Sequence, residues 1–253
     1  MPQTLLRNIN GLFYDANYHF VDGKILDRIP YQKIIVKPTV GGESGKNVQV
    51  FNREGKIWKN KLGDKLSIEY LISTYGKDFI VQEYLYQNCA LGVFNPTSVN
   101  TIRIVTYRSI INDEVAVVNA ILRVGAAGKD VDNAHSGGMF CGVFPNGELG
   151  KYMCNYLGEK TEIFNGIDYS KNTFVIPYYD KVISFAKDVA SQIIHCRLLA
   201  LDIMIDVNGN PRLIEFNIGG FSAWLFQFTT GSAFGKYTDE ILDYCCRDVR
   251  FKI

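Results

Sequence analysis

Residues 199–217 read LALDIMIDVNGNPRLIEFN. Two apolar stretches, Leu199–Asp206 and Pro211–Asn217, flank Val207-Asn-Gly-Asn210, and that turn chemistry predicts a β-hairpin. A four-residue loop at 207–210 sets Asp206 opposite Pro211 and Asp202 opposite Glu215. Glu215 and Asn217, two residues apart, project from the same face of their strand. Two carboxylates facing each other across a strand pair repel unless something neutralises them. Either the acids face water on a solvated hairpin, or they face a cation. A sparse set of hard oxygen ligands on rigid strands suits Mg²⁺ held jointly with substrate phosphates. The apolar flank of Leu201, Ile203, Ile205, Leu213, Ile214 and Phe216 buries one side of the hairpin and favours the second reading.

The rest of the chain is consistent with a folded, mixed α+β protein. Its 253 residues, 47% of them apolar, suffice for one large domain or two small ones. A net charge of +1 argues against nucleic acid or an anionic membrane as the main partner. No run of eighteen apolar residues predicts a membrane span, and MPQTLLRNINGLFYD has no signal-peptide core. The six cysteines form no CxxC pair and read as reduced cytosolic thiols, mostly core filler, with Cys245 and Cys246 inside a C-terminal helix.

Patterning predicts strands at 33–37, 48–51, 79–85, 101–108, 114–124 and 140–143, and helices at 66–75, 179–196 and 237–246. In the first helix Leu66, Ile68, Leu71 and Ile72 share one side and Gly76 is the C-cap. Residues 1–32 have mixed pattern and read as an N-terminal lead-in. Strands joined mostly by hairpins, with helices interspersed, predict α+β and not alternating βαβ.

Two further segments carry chemistry. In Lys37-Pro-Thr-Val-Gly-Gly-Glu-Ser-Gly-Lys46 a lysine ends a buried strand before a glycine-rich loop. Glycines let backbone N–H groups approach a phosphate and Lys37 supplies charge; the other reading is a glycine-rich hairpin turn. The lysine precedes the glycines, so this is not a P-loop. Arg123, in LRVGAAGKDVDNAHSGG, and Arg103, in NTIRIVT, sit within apolar strands. A buried arginine needs a phosphate or a carboxylate, so each binds a ligand or an internal acid. His135 stands alone on a polar loop, and neither a zinc site nor a Ser/His/Asp triad is indicated.

Taken together, the Lys-Pro strand, the glycine-rich loop, QEYL at 82–85, LRVG…DNAHSGG, and an Asp followed thirteen residues later by EFN resemble the ATP-grasp superfamily. SVNTIRIVTYR, ILRVG, VDNAHSGG and Gln227…Gly231 are similar to its sugar-transfer-associated group, found with surface-polysaccharide genes. The resemblance covers about Lys33 to Phe234. It implies two α+β subdomains gripping ATP between antiparallel sheets: a lid subdomain over 33–86 and a larger one over 87–253 that carries the Mg²⁺ site.

Site roles follow from the same resemblance. Lys37 binds the ATP phosphates, and Gly41, Gly42, Ser44 and Gly45 form a mobile lid. Gln82, Glu83, Tyr84 and Leu85 hold adenine, mostly through backbone. Asp202, Glu215 and Asn217 hold Mg²⁺. Arg103 and Arg123 face the γ-phosphate or an acyl phosphate, and Asn133 with Ser136-Gly-Gly lies near the reacting carboxylate.

The sequence departs from the pattern twice. The position seven residues after Glu83, where the family often has a ribose-binding acid, is Ala90, with Gln87 as a substitute. The N-terminal domain that usually precedes the Lys-Pro strand is expected to be reduced or missing: the chain is a short form or a fragment, or a partner or oligomer supplies that wall. The expected activity is cytoplasmic, ATP-dependent carboxylate–amine ligation of small molecules, one of them a sugar acid or nucleotide sugar. A small-molecule kinase and a non-catalytic nucleotide-binding module are the alternatives.

Overall fold

A computed structural model of the chain describes all residues except 41–46, 129–133, 135–136 and 248–253. The chain divides into two compact units, Met1–Leu85 and Tyr86–Ile253.

The first unit contains β1 (Thr4–Ile9), β2 (Leu12–Tyr14), α1 (Ile25–Arg28), β3 (Lys33–Pro38), β4 (Gln49–Glu54), β5 (Ile57–Lys59), α2 (Ile68–Tyr75) and β6 (Phe79–Glu83). Its sheet has the order β2-β1-β6-β3-β4-β5, antiparallel throughout. Leu6, Ile34, Val36, Phe51, Leu71, Phe79 and Val81 form its core. The lead-in expected over residues 1–32 therefore contains β1, which lies inside this sheet between β2 and β6. Helix α2 starts later than its apolar spacing suggests. Ser67 is the N-cap, its Oγ accepting from the Tyr70 N–H, so Leu66 is buried ahead of the helix. Ile72, expected on the inner face, points to solvent. Gly76 ends the helix as predicted, at φ 69°.

The second unit contains α3 (Cys89–Gly92), β7 (Thr101–Arg108), β8 (Val115–Val124), β9 (Met139–Gly142), β10 (Met153–Cys154), β11 (Lys160–Thr161), β12 (Ile163–Phe164), β13 (Ile167–Asp168), α4 (Tyr179–Gln192), β14 (Leu198–Ile205), β15 (Pro211–Asn217), α5 (Ala223–Thr229) and α6 (Thr238–Arg247). Seven strands form one sheet, β11-β10-β9-β8-β7-β14-β15, again antiparallel.

Alternation along β14 divides this unit's apolar side chains between two layers. Leu199, Leu201, Ile203 and Ile205 pack with Val182, Ala186 and Ala190 of α4. Ala200 faces the other way and packs with Leu225 and Phe226 of α5. Helix α4 stops at Gln192, short of the predicted Cys196: Ile193 leaves the helical backbone at φ −104°, ψ 76°, and Arg108 satisfies the end by donating to the Ala190 and Ser191 carbonyls at 3.1 and 2.9 Å.

Two expectations need correction. Cys89, Cys245 and Cys246 are exposed, and of the six cysteines Cys141 and Cys154 are the buried ones; burying α6 needs a covering surface that the sequence cannot report. In the hairpin, Pro211 pairs with Ile205 and not with Asp206. Asp206 instead closes the turn: its N–H donates to the Asn210 carbonyl, and its Oδ1 accepts from the N–H groups of Asn208 and Asn210, each at 2.9 Å. A bulge between Asp202 and Ile203 absorbs the one-residue difference, leaving Asp202 opposite Glu215 as predicted.

Candidate functional site

The sheet of the second unit gathers the charged residues singled out in the sequence. Asp202 on β14 pairs with Glu215 on β15 on one side and with Arg103 on β7 on the other. Arg123 lies one strand further, on β8. Four neighbouring strands thus carry Asn217 and Glu215, Asp202, Arg103 and Arg123.

Asp202 is almost fully buried, and its partners include the two arginines and Glu215. Arg103 binds it with both arms, Nε to Oδ1 and Nη2 to Oδ2, each at 2.7 Å. Arg123 Nη1 reaches Oδ2 at 3.1 Å. The internal acid that the arginines required is therefore the residue assigned to the cation. Desolvation would raise the Asp202 carboxyl, but the Arg103 hydrogen bond and the charges of Arg123 and Arg103 outweigh it and hold the group below the usual aspartate range. Glu215 goes the other way. Desolvation first, then the charge of Asp202 and a hydrogen bond shared with it, push its carboxyl above the usual glutamate range against the pull of both arginines. Two acids side by side thus differ in proton affinity.

Do these residues fit Mg²⁺? Every available donor is a hard oxygen, as Mg²⁺ requires. The Asn217 Nδ2 is buried without a partner, so the fold leaves this amide's donor unused; its Oδ1 would be the ligand oxygen. Glu215 is exposed on the last strand of the sheet. Asp202 Oδ2 accepts from both guanidinium groups, whereas Oδ1 accepts from Arg103 alone of the two and is the oxygen a cation could share. Among the described residues no group of three or more His, Cys, Asp and Glu can hold a metal ion, so the set depends on an amide and on oxygens from a ligand. With that composition the residues fit.

The residues expected to bind the nucleotide lie in the first unit. Lys37 sits on β3 opposite Ile80 of β6. Gln82 and Glu83 end β6. Glu83 accepts from the Gln3 N–H at 2.8 Å, and the Lys33 ammonium lies 3.7 Å from the centre of the Tyr84 ring. The Gln82 Oε1 is buried without a partner. Leu85 closes the unit. Gly41, Gly42, Ser44, Gly45, Asn133, His135 and Ser136 lie outside the described residues.

The second unit corrects one assignment. Gln87, the substitute for the missing ribose acid, has no side-chain capacity left. Its Nε2 donates to the carbonyls of Asn95 and Ser98 at 2.9 and 2.7 Å, and its Oε1 accepts from the backbone and side-chain N–H groups of Asn100, both at 3.0 Å. Sequence reasoning missed the Asn95 and Asn100 partners; the density of Asn and Ser in QNCALGVFNPTSVN, at 87–100, was the available signal.

No helix among the described residues is long and apolar enough to cross a membrane. No curated protein matches the chain. Similar solved structures include an ADP complex of purK, N5-carboxyaminoimidazole ribonucleotide synthetase (13% identity, covering 86% of this chain and 40% of that one, TM-score 0.45). Another is an L-amino acid ligase from Bacillus licheniformis (12%, 95% and 43%, 0.44). A third is D-cycloserine synthetase DcsG (13%, 86% and 57%, 0.43). The chain covers 40–57% of the length of these proteins. Residues 21–241 match a family model described as sugar-transfer associated ATP-grasp, and by that match over most of its length the chain belongs to this family.

Proposed function

We propose that the protein is an ATP- and Mg²⁺-dependent ligase that joins a carboxylate to an amine through an acyl phosphate, with a sugar acid or nucleotide sugar as one substrate. The observation that carries this reading is the cluster on four adjacent strands: two arginines oriented by a buried Asp202, beside Glu215 and Asn217. The sugar substrate is suggested by the family description, sugar-transfer associated ATP-grasp; a role in surface-polysaccharide synthesis is part of this proposal and rests on the sequence resemblance alone.

A carboxylate is a poor electrophile, and phosphorylation activates it. One of its oxygens attacks the γ-phosphorus and ADP leaves. The amine then attacks the acyl carbon, loses a proton, and phosphate leaves with one oxygen of the acid. Phosphoryl transfer needs alignment and charge neutralisation more than covalent help. Glu215 and Asn217 would hold Mg²⁺, with Asp202 shared between it and the arginines; the bound ion neutralises phosphate oxygens. Arg103 and Arg123, oriented by Asp202, present their remaining N–H donors to the transferred phosphoryl group. Lys37 meets the phosphates, the backbone of residues 82–85 meets adenine, and Asn133 with Ser136, Gly137 and Gly138 orients the acid.

The test follows one atom. With an ¹⁸O-labelled carboxylate substrate, label should appear in inorganic phosphate, and ADP should form only when acid and amine are both present. A stable phosphorylated product would establish a kinase instead. A non-catalytic module is the second reading, favoured by exposed Ala90 at the ribose position and by the fully committed Gln87 amide. Failure to bind Mg-ATP below millimolar, a free energy weaker than about −4 kcal/mol, would support it.

A further inference from the structure

Gln87 belongs to a buried amide network that ends at three of the four strands carrying the charged cluster. Asn95 and Asn100 are fully buried. Asn95 Nδ2 donates to Ser98 Oγ at 3.0 Å and to the carbonyls of Gly125 and Ala126 at 2.9 and 3.1 Å. Its Oδ1 accepts from the N–H and the hydroxyl of Thr97 at 2.9 and 2.8 Å. Asn100 Nδ2 donates to the Leu91 carbonyl at 2.8 Å, the Asn95 carbonyl at 3.1 Å and Gln87 Oε1 at 3.0 Å. Backbone groups fix the amide orientations of Gln87 and Asn95: each oxygen meets a backbone N–H, which can only donate, and each nitrogen meets carbonyls, which can only accept.

The network reaches the strand ends nearest the cluster. Asn100 immediately precedes β7, three residues before Arg103. Gly125 immediately follows β8, two residues after Arg123. Gln87 forms a bridge with Asp206, and the Asn88 N–H donates to the Ile205 carbonyl at 2.8 Å, three residues beyond Asp202 on β14. Asn165 adds a second donor to the Gly125 carbonyl at 3.1 Å. A residue along a strand spans about 3.3 Å, so a slip of a fraction of one residue at any of these ends opens a 2.7 Å ion pair beyond bonding range.

We propose that Gln87, Asn95 and Asn100 are positioning residues that hold the ends of β7, β8 and β14 in the register that lets Arg103 and Arg123 converge on Asp202. A fold can end strands with ordinary turns; this one spends three amides, two of them fully buried, at the ends of the strands that bear the cluster. The part these arginines play in catalysis rests on the ligase reading, but their convergence on Asp202 does not.

Nuclear magnetic resonance of the arginine Nε–Hε groups tests this in the full-length protein without any ligand. Asn95→Asp keeps the acceptor for Thr97 and loses the donor to Gly125 and Ala126. Gln87→Glu keeps the acceptor for Asn100 and loses the donor to Asn95 and Ser98. Asn165→Asp, at a half-buried position, is the milder variant should either of these fail to fold. Val182→Ala, which opens a cavity beneath α4 on the opposite face of the sheet, is the control for general destabilisation. We expect the Arg103 Hε, which bonds to Asp202, to exchange with solvent about tenfold faster, about 1.4 kcal/mol, in N95D and Q87E, to speed up measurably in N165D, and to stay at the wild-type rate in V182A. Wild-type rates in folded network variants, or equal acceleration in V182A, would overturn the proposal. Mg-ATP titration of the same proteins is a separate readout: wild type that binds no nucleotide defeats the ligase reading and leaves the exchange result standing.

Discussion

The two acids of the cluster call for opposite predictions. Asp202 is the counter-charge of two largely buried arginines. Asp202→Asn should cost about 3–5 kcal/mol in denaturant unfolding, because it strands buried positive charge. Glu215→Gln removes a charge that desolvation and Asp202 disfavour, so it should leave the fold at least as stable as wild type near neutral pH yet abolish Mg²⁺-dependent nucleotide turnover. Their pH dependences differ in sign. The folded-state pKa of Asp202 is lowered, so its stabilising contribution is present above the unfolded value and lost as pH falls through the folded one. That of Glu215 is raised, so its contribution is present below the unfolded value and lost as pH rises through the folded one. Acid and neutral denaturation series on wild type, D202N and E215Q check this: the D202N deficit should shrink at low pH, and E215Q should gain on wild type as pH rises above the ordinary glutamate range.

Among the elements, the hairpin of β14 and β15 and the closing helix α6 are the most exposed to single changes. Gly209 sits in the hairpin turn at φ 77°, and a Cβ there would lie 2.7 Å from the Tyr178 ring. Gly209→Ala should therefore destabilise by about 1–3 kcal/mol from backbone strain and the clash together, seen as a lower denaturation midpoint. Helix α6 is tied to the end of β7 through Glu240, which accepts from Tyr107 Oη at 3.0 Å, Ser109 Oγ at 2.7 Å and the Ile110 N–H at 2.8 Å. In Glu240→Ala, amide exchange should accelerate along α6 and leave the interior of β7 protected.

The same elements show where local patterning stops being informative. The Asn-Gly loop marks the hairpin, but the bulge that returns Asp202 to Glu215 depends on cross-strand hydrogen bonds that no single strand encodes. Strand β1 escapes detection because Asn8 takes an inward position beside Leu6, breaking the apolar alternation. Asn8 is buried, its Oδ1 accepting from the Gly11 N–H at 2.8 Å in the turn to β2.

For the molecule as a whole, each unit buries its own core beneath its own antiparallel sheet. If the ligase reading holds, Mg-ATP binds the native protein and not the unfolded chain. At a hundred times its dissociation constant it should then stabilise the native state by about 2.7 kcal/mol, a rise in the thermal midpoint that EDTA abolishes. Midpoints unchanged by Mg-ATP would count against nucleotide binding itself.

Local chemistry determined a good deal alone: most strand and helix types, the Gly76 end of α2 by its capping residue, and the antiparallel hairpins. Tertiary structure decided what the charged residues touch. Arg103 and Arg123 lie 99 and 79 positions from Asp202 in the chain, and what makes them neighbours is the order β8-β7-β14-β15. Likewise Gln87, free on paper to meet a ribose, is consumed by the loop at 95–100. A side chain's type is written at its own position, but its partner depends on which distant strands lie beside it, and that follows from packing the whole sheet.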